Sequence, residues 1–258
     1  MLIQTIRTSG LVCFCLAAAC VVSSASVGAD EIRPISLNED SKMVGGKSSR
    51  LQEEAERAKP NKKNQRKRKA ESDRMLNIGF AHDPGAGKYD GVVGAPTDTW
   101  NLVSMGTTAK DFMRYSDASG STARIRITRH DGAWGIDGHQ GIFRGYIYDN
   151  CQCKDLETTI LDLEPGRYRA YVYAHGDASN QNANIELLVS GESHGRKATA
   201  NDGTNRYRSL EMTEGVQYVT FKFKVQSGEE VKFISHRDGS SYSMFNAIQL
   251  VPLKESRK

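Results

Sequence analysis

The sequence predicts an all-β fold in which two antiparallel sheets pack as a sandwich, and three observations lead to this prediction. Residues 75–258 contain 19 of the chain's 20 aromatic residues and 20 of its 24 glycines, a composition typical of strands joined by turns. Short stretches of this region alternate hydrophobic and polar residues, and Pro-Gly and Ser-Gly turns separate them. No convincing helix that could connect parallel strands is visible there, so antiparallel sheets are favoured over an α/β fold.

The alternation is clearest over residues 219–225, where Val219, Phe221, Phe223 and Val225 face one side of the predicted strand and a threonine and two lysines face the other. This pattern predicts one buried and one solvated face. Similar stretches cover residues 122–128, 168–174, 185–190, 231–235 and 245–251.

The N-terminal 29 residues have the order of an export signal. Arg7 precedes an apolar run over residues 11–22, and small residues then lead to Ala29. Because about twelve apolar residues are fewer than the roughly twenty of a spanning helix, we expect cleavage after Ala29 and no membrane span afterwards. An alternative is a lipoprotein box that leaves a lipidated Cys20 as the mature N-terminus. Both alternatives predict a secreted, periplasmic or cell-surface protein.

Residues 30–74 are expected to form a disordered or partly helical basic linker, because they contain no aromatic residue that could build a core. Within the linker, residues 59–69 hold seven cations and no acid, a block that we expect to stay solvated and to attract anionic wall polymers, acidic polysaccharide or lipid headgroups. A spacer that binds nothing specific is the alternative. The cations are Lys59, Lys62, Lys63, Arg66, Lys67, Arg68 and Lys69.

The chain of 258 residues, with 26% charged and 38% hydrophobic residues, is long enough for one folded domain preceded by this tail. The folded part is assigned to residues 75–258, which carry 21 lysines and arginines against 22 aspartates and glutamates. This near-neutral balance argues against nucleic acid as a partner of the domain.

Four stretches of the domain resemble the galactose-binding-like jelly-roll family. They are residues 161–168 (LDLEPGRY), 170–176 (AYVYAHG), 185–191 and 245–251. That family includes many carbohydrate-binding modules of secreted bacterial proteins. The resemblance covers roughly residues 75–252 and implies a jelly-roll sandwich that binds carbohydrate or another cell-surface polymer.

Sugar recognition needs an aromatic face for the apolar side of the ring and amides or carboxylates for the hydroxyls. Trp134 lies in a glycine-rich stretch with Asp137 and His139 nearby, and Tyr242 and Asn246 bracket the start of the last predicted strand. These five residues are the candidate carbohydrate ligands. For Trp134 the alternative is a buried loop anchor.

Three further residues are expected to have structural roles. Trp100 is expected in the core, and His175 and Asp177, which end a strong predicted strand, are expected to cap a turn.

One catalytic motif is present, because residues 191–195 (GESHG) match the G-x-S-x-G pattern. A nucleophile of this kind needs a parallel strand before it and a helix after it, and an all-β domain supplies neither. We therefore predict no catalytic residue. The six histidines lack zinc-ligand spacing, so no metal site and no cofactor is predicted, and a structural calcium ion is left open.

Cys151 and Cys153 are the two cysteines outside the export signal. In an oxidising compartment they could pair with each other, link two chains, or stay as thiols.

The sequence thus favours an exported, non-catalytic module that binds carbohydrate or another cell-surface polymer. One alternative is a structural or assembly protein that makes only protein contacts, and another is a glycan hydrolase or lyase on the same scaffold. If Trp134 and Tyr242 lie exposed around one concavity, the binding module is favoured.

Overall fold

A computed structural model of the protein describes residues 74–80, 89–136, 141–151, 154–201, 203–204 and 211–254. Within these residues the chain forms fourteen strands and one 3₁₀ helix, at Gly141–Phe143. The strands are β1 (Leu76–Phe80), β2 (Asn101–Val103), β3 (Ala109–Lys110), β4 (Arg124–Ile127), β5 (Gly132–Gly135), β6 (Gly145–Asp149), β7 (Leu156–Leu161), β8 (Gly166–Tyr173), β9 (Ala183–Val189), β10 (Glu192–Ala198), β11 (Tyr218–Val225), β12 (Val231–Arg237), β13 (Ser243–Phe245) and β14 (Ala247–Pro252). The predicted export signal and the cation block of the linker lie outside the described residues.

The strands form three sheets. The five-stranded sheet has the order β11-β8-β14-β1-β2, the six-stranded sheet β10-β9-β12-β7-β4-β3, and the three-stranded sheet β13-β6-β5. The paired strands are antiparallel except β1 and β2, which run parallel. The predicted all-β class with antiparallel sheets in a sandwich is confirmed, and the three-stranded sheet is an addition that the sequence did not indicate.

The main core lies between the two larger sheets. Ile248 and Leu250 of the five-stranded sheet belong to the same buried cluster as Ile185, Leu187 and Phe233 of the six-stranded sheet. Each fully buried side chain of this size contributes about 1.5–3 kcal/mol relative to an exposed one. On β11 the four hydrophobic residues predicted to share the dry face are all buried in this cluster.

A second hydrophobic cluster covers part of the other face of the five-stranded sheet. Tyr171 and Tyr173 belong to it, and they alternate along β8 with residues of the main core. Trp100, predicted in the core, instead packs half-buried against this second cluster, with its ring centroid 5.8 Å from that of Tyr89.

The predicted last strand, residues 245–251, is divided between two sheets. β13 pairs with β6 in the three-stranded sheet, whereas β14 pairs with β1 and β8 in the five-stranded sheet. Asn246 sits at the change of sheet and is completely buried. Its Nδ2 donates to the Gly145 carbonyl oxygen at 3.0 Å, and its Oδ1 accepts from the His175 amide at 2.6 Å. Where the chain passes from one sheet to the other, backbone groups lose the hydrogen-bond partner that a neighbouring strand would supply. The Asn246 side chain forms hydrogen bonds with two such groups.

Candidate functional site

A pocket of about 210 Å³ lies beside the three-stranded sheet. Strands β5 and β6, the segment between β8 and β9, and the segment before β13 each contribute part of its wall. We call it the aromatic pocket, and its lining residues are Trp134, Tyr146, Tyr148, Asp177, Gln181 and Tyr242.

Strand register brings three of the aromatic residues to one face. Trp134 on β5 is paired with Tyr146 on β6, and Gly132 is paired with Tyr148 two positions along. Because side chains alternate along a strand, Trp134, Tyr146 and Tyr148 project from the same side of the hairpin. A Cβ atom at Gly132 would lie 3.0 Å from the Tyr148 hydroxyl oxygen, so the glycine gives the tyrosine ring room to lie across its partner strand.

The tyrosines form a connected aromatic wall. The ring centroids of Tyr146 and Tyr148 are 6.0 Å apart, and Tyr242 meets Tyr148 edge-on with centroids 5.3 Å apart. Tyr146 is buried and the other two tyrosines are half-buried, while 54% of Trp134 is exposed. Trp134 is therefore the most exposed of the aromatic residues that line the pocket.

The polar side of the pocket is built by the segment between β8 and β9. The Tyr146 hydroxyl donates to Asp177 Oδ1 at 3.3 Å, and the Asp177 amide donates to Gln181 Oε1 at 3.0 Å. Burial, reinforced by the negative charge of Asp177, raises the pKa of Tyr146 well above its usual value. Tyr146 is therefore a neutral hydrogen-bond donor at physiological pH, and it holds the carboxylate in place.

One arginine holds the backbone segments next to Tyr242 and Tyr148 through hydrogen bonds. Arg237, at the end of β12, donates from Nε to the Ser241 carbonyl oxygen at 3.2 Å. Its guanidinium nitrogens also donate to three carbonyl oxygens of the segment that follows Tyr148, at 2.7–2.8 Å; these belong to Asp149, Cys151 and Lys154. This arginine therefore ties the residue before Tyr242 to the end of β6.

The structure brings together two of the five residues predicted to bind carbohydrate. Trp134 and Tyr242 both line the aromatic pocket. Asn246 does not line it, because its side chain is completely buried and bonded at the sheet switch. Asp137 and His139 lie outside the described residues, as do the seven cations of the predicted polyanion-binding block.

Four lining residues were missed by sequence reasoning: Tyr146, Tyr148, Asp177 and Gln181. The Gly-Tyr-Ile-Tyr-Asp alternation of β6 could have indicated that its two tyrosines share a face. Asp177, predicted to cap a turn, lies in the segment after β8 and points its carboxylate to the Tyr146 hydroxyl. No local signal predicts that this segment meets the β5–β6 hairpin.

The G-x-S-x-G residues form a hairpin and an edge strand. Ser190 and Gly191 make the turn between β9 and β10 with φ of +48° and +84°, and Ser193 lies exposed on β10. The Ser193 hydroxyl donates to Glu186 Oε1 at 2.7 Å, and His236 Nε2 lies 2.9 Å from Glu186 Oε2. This antiparallel hairpin differs from the strand-to-helix turn of a hydrolase nucleophile.

Three further observations concern cysteine chemistry, metal binding and membrane-spanning helices. Cys151 is disulfide-bonded, and every other cysteine of the chain lies outside the described residues. The part of the chain that the structure describes contains no group of three or more histidine, cysteine or acidic side chains that could hold a metal ion. Nor does that part contain a helix with the length and apolarity needed to cross a membrane.

No protein-family model matches the sequence, and no curated protein matches it. Among solved structures, protein YXIM from Bacillus subtilis is similar at 12% identity and a TM-score of 0.35, with 70% of this chain and 40% of that chain covered. CBM35 from Paenibacillus barcinonensis is similar at 14% identity and a TM-score of 0.31, with 51% of this chain and 93% of that chain covered. An exo-beta-1,3-galactanase from Phanerochaete chrysosporium is similar at 18% identity and a TM-score of 0.29, with 46% and 25% covered. The chain thus spans less than half of the length of the first and third of these proteins.

Proposed function

We propose that the aromatic pocket binds carbohydrate and that the chain is an exported, non-catalytic module attached through it to a polysaccharide or another cell-surface polymer. The observation that carries the proposal is the half-exposed Trp134 ring beside Asp177 and Gln181 in one concavity. An indole face packs against the apolar side of a sugar ring, while a carboxylate and an amide accept and donate hydrogen bonds to its hydroxyls.

The size of the pocket bears on how much of a glycan it holds. Its volume of about 210 Å³ is below the roughly 300–1,000 Å³ of sites that enclose drug-sized ligands. We therefore expect one sugar ring to occupy the pocket, with the rest of the glycan outside.

Pre-organisation supports binding at such a small site. The tyrosine wall is packed ring to ring, Asp177 is held by Tyr146, and Arg237 fixes the segment before Tyr242. Little side-chain freedom remains to be lost when a ligand binds, which lowers the entropic cost of association.

The test is binding of the full-length protein to an array of neutral glycans, followed by titration of the glycans that bind. Trp134→Ala is expected to weaken binding by about 30-fold, equivalent to about 2 kcal/mol, because it removes the exposed ring of the site. Phe112→Ala is the matched control, because Phe112 is also an exposed aromatic residue, at 93%, but does not line the pocket.

Binding should persist at high salt, because a neutral sugar makes no charge pair with the basic linker. The proposal fails if the full-length protein binds no neutral glycan, or if Trp134→Ala binds as tightly as the unchanged protein.

A further inference from the structure

We propose that the sugar bound in the aromatic pocket carries an acetamido group, so that the ligand class is N-acetylated amino sugars. This inference rests on the function proposed above and narrows it to one class of sugar. It is based on an amide donor, a carboxylate acceptor and a corner of tyrosine rings, all of which line the pocket. An acetamido group presents a partner for each of them, namely a carbonyl oxygen, an N–H group and a methyl group.

The donor is the side-chain amide of Gln181. Its Oε1 accepts from the Asp177 amide at 3.0 Å. Because a backbone N–H group can only donate, this hydrogen bond fixes which end of the side-chain amide faces the backbone. Nε2 is therefore the polar atom of Gln181 that is left for a ligand, and no residue in the described part of the chain accepts a hydrogen bond from it. A carbonyl oxygen of the ligand is a suitable partner for this donor.

The segment between β8 and β9 holds this donor in place. The Gly176 amide donates to the Gln181 carbonyl oxygen at 2.7 Å, and the Gln181 amide donates to the Ala178 carbonyl oxygen at 3.0 Å. A Cβ atom at residue 176 would overlap Gln181 Oε1, so the glycine lets the glutamine side chain fold back over the segment. The donor is thus positioned before a ligand arrives, which lowers the entropic cost of using it.

The acceptor is the Asp177 carboxylate. Its Oδ1 accepts from the Tyr146 hydroxyl at 3.3 Å. The two oxygens of a carboxylate offer about four lone-pair sites, so Asp177 can accept from an N–H group of the ligand in addition to its contacts within the protein. Asp177 and Gln181 together present an acceptor and a donor, which are the two partners that an amide group needs.

The tyrosine rings of the pocket form a corner. The rings of Tyr146 and Tyr148 are inclined by 57°, and those of Tyr148 and Tyr242 by 70°. Inclined rings can enclose a compact apolar group such as a methyl group, whereas the face of a pyranose needs one flat ring, which the exposed Trp134 supplies. A sugar that carries only hydroxyl groups would leave the corner without an apolar partner. The aromatic lining therefore favours a sugar with an additional methyl group.

The test is titration of the full-length protein with two matched pairs of probes. Chitotetraose is compared with cellotetraose, and methyl N-acetylgalactosaminide with methyl galactoside, so that an acetamido group replaces a hydroxyl group on the same sugar. The acetamido member of at least one pair is expected to bind about tenfold more tightly, because it adds a buried methyl group and a hydrogen bond. The corresponding sugar with a free amine is a third probe and should bind more weakly than the acetamido form, since it lacks the carbonyl oxygen and the methyl group.

Gln181→Glu tests the donor. The substitution keeps an oxygen for the Asp177 amide and replaces the Nε2 donor by an acceptor, so the preference for the acetamido member should disappear. Gln226→Glu is the matched control and should keep the preference, because Gln226 is exposed and does not line the pocket. The preference is a ratio of two affinities of one variant, so partial unfolding would lower both affinities and leave the ratio unchanged.

The outcomes separate this inference from the function proposed above. Equal binding of the two members of both pairs, or a free amine that binds as tightly as the acetamido form, would overturn the inference and leave carbohydrate binding intact. A preference that survives Gln181→Glu would overturn it as well. The inference also fails alone if no acetamido probe binds while other neutral glycans do. If no neutral glycan binds at all, the proposed function itself fails.

Discussion

Asn246 shows how a residue with the right chemistry for a ligand can be required by the fold. An amide beside Tyr242 at the start of the last strand is a reasonable sugar contact, and the structure instead buries it completely. Both ends of its amide are used, one by the Gly145 carbonyl oxygen and the other by the His175 amide. A side chain that carries both a donor and an acceptor is needed there, because one backbone group of each kind is buried at the switch.

Asn246→Ala is therefore expected to destabilise the fold. It leaves a buried donor and a buried acceptor without partners, which should lower the free energy of unfolding by about 2–4 kcal/mol. Urea unfolding measures this change, with the exposed Asn150→Ala as the control that should stay within about 0.5 kcal/mol. Equal midpoints for Asn246→Ala and the unchanged protein would contradict the structural role.

Trp134 and Tyr242, which both line the aromatic pocket, could be selected as candidates from local sequence signals. The tryptophan lies in a glycine-rich stretch, and the tyrosine lies between two serines near the start of the last predicted strand. Asp177 and Gln181 could not be predicted in the same way. Their role depends on the contact between the segment after β8 and the β5–β6 hairpin, a non-local arrangement with no sequence period.

The outer face of the six-stranded sheet carries a polar network across three strands. Glu186 on β9 accepts a hydrogen bond from Ser193 on β10, contacts His236 on β12, and lies 2.7 Å from Arg196 Nη2. The hydrogen bond from Ser193 has the largest effect on the pKa of Glu186 and lowers it. The contacts with His236 and Arg196 lower this pKa further, whereas burial of the carboxyl raises it. The network therefore links the edge strand β10 to the interior of the sheet.

This pKa shift predicts a pH-dependent stability. A carboxyl whose folded-state pKa is depressed stabilises the fold above its ordinary value of 4.5, and the contribution is lost as the pH falls through the lowered pKa. Glu186→Gln, which resembles the protonated acid, should melt at a lower temperature than the unchanged protein at pH 7. The difference should close as the pH falls below 4.5.

The exposed Glu192→Gln on β10 is the matched control for this experiment, with no expected difference at either pH. A difference between Glu186→Gln and the unchanged protein that stays constant from pH 7 to strongly acidic conditions would contradict the charge-based explanation.

The strands that the sequence predicts best are those with one buried face and one solvent-exposed face. The alternation over residues 219–225 falls entirely within β11, Tyr218–Val225, because that strand has the main core on one side and solvent on the other. The division of the last predicted strand into β13 and β14 could not be predicted. Residues 245–251 are buried on both sides of the switch, so their pattern carries no period that marks the change of sheet.

Arg237 connects the six-stranded sheet to the three-stranded sheet. Its side chain starts at the end of β12 in the six-stranded sheet. It donates to the carbonyl oxygen of the last residue of β6, to one after β6 and to one before β13, and β6 and β13 both belong to the three-stranded sheet. Its guanidinium also lies 3.5 Å from Asp155 Oδ1. The shape of the aromatic pocket depends on these hydrogen bonds, because Tyr148 and Tyr242 lie beside the two segments that Arg237 holds.

Arg237→Lys tests whether the hydrogen bonds of Arg237 position the residues that line the aromatic pocket. The substitution keeps the charge but loses the planar fork, so most of the four hydrogen bonds to carbonyl oxygens cannot form. We expect the free energy of unfolding to fall by about 2 kcal/mol or more and affinity for neutral glycans to fall at a temperature where the variant is still folded.

The exposed Arg129→Lys is the matched control and should change neither quantity. A purely structural arginine would lower stability and leave the glycan affinity of the folded variant intact, whereas a positioning arginine lowers both.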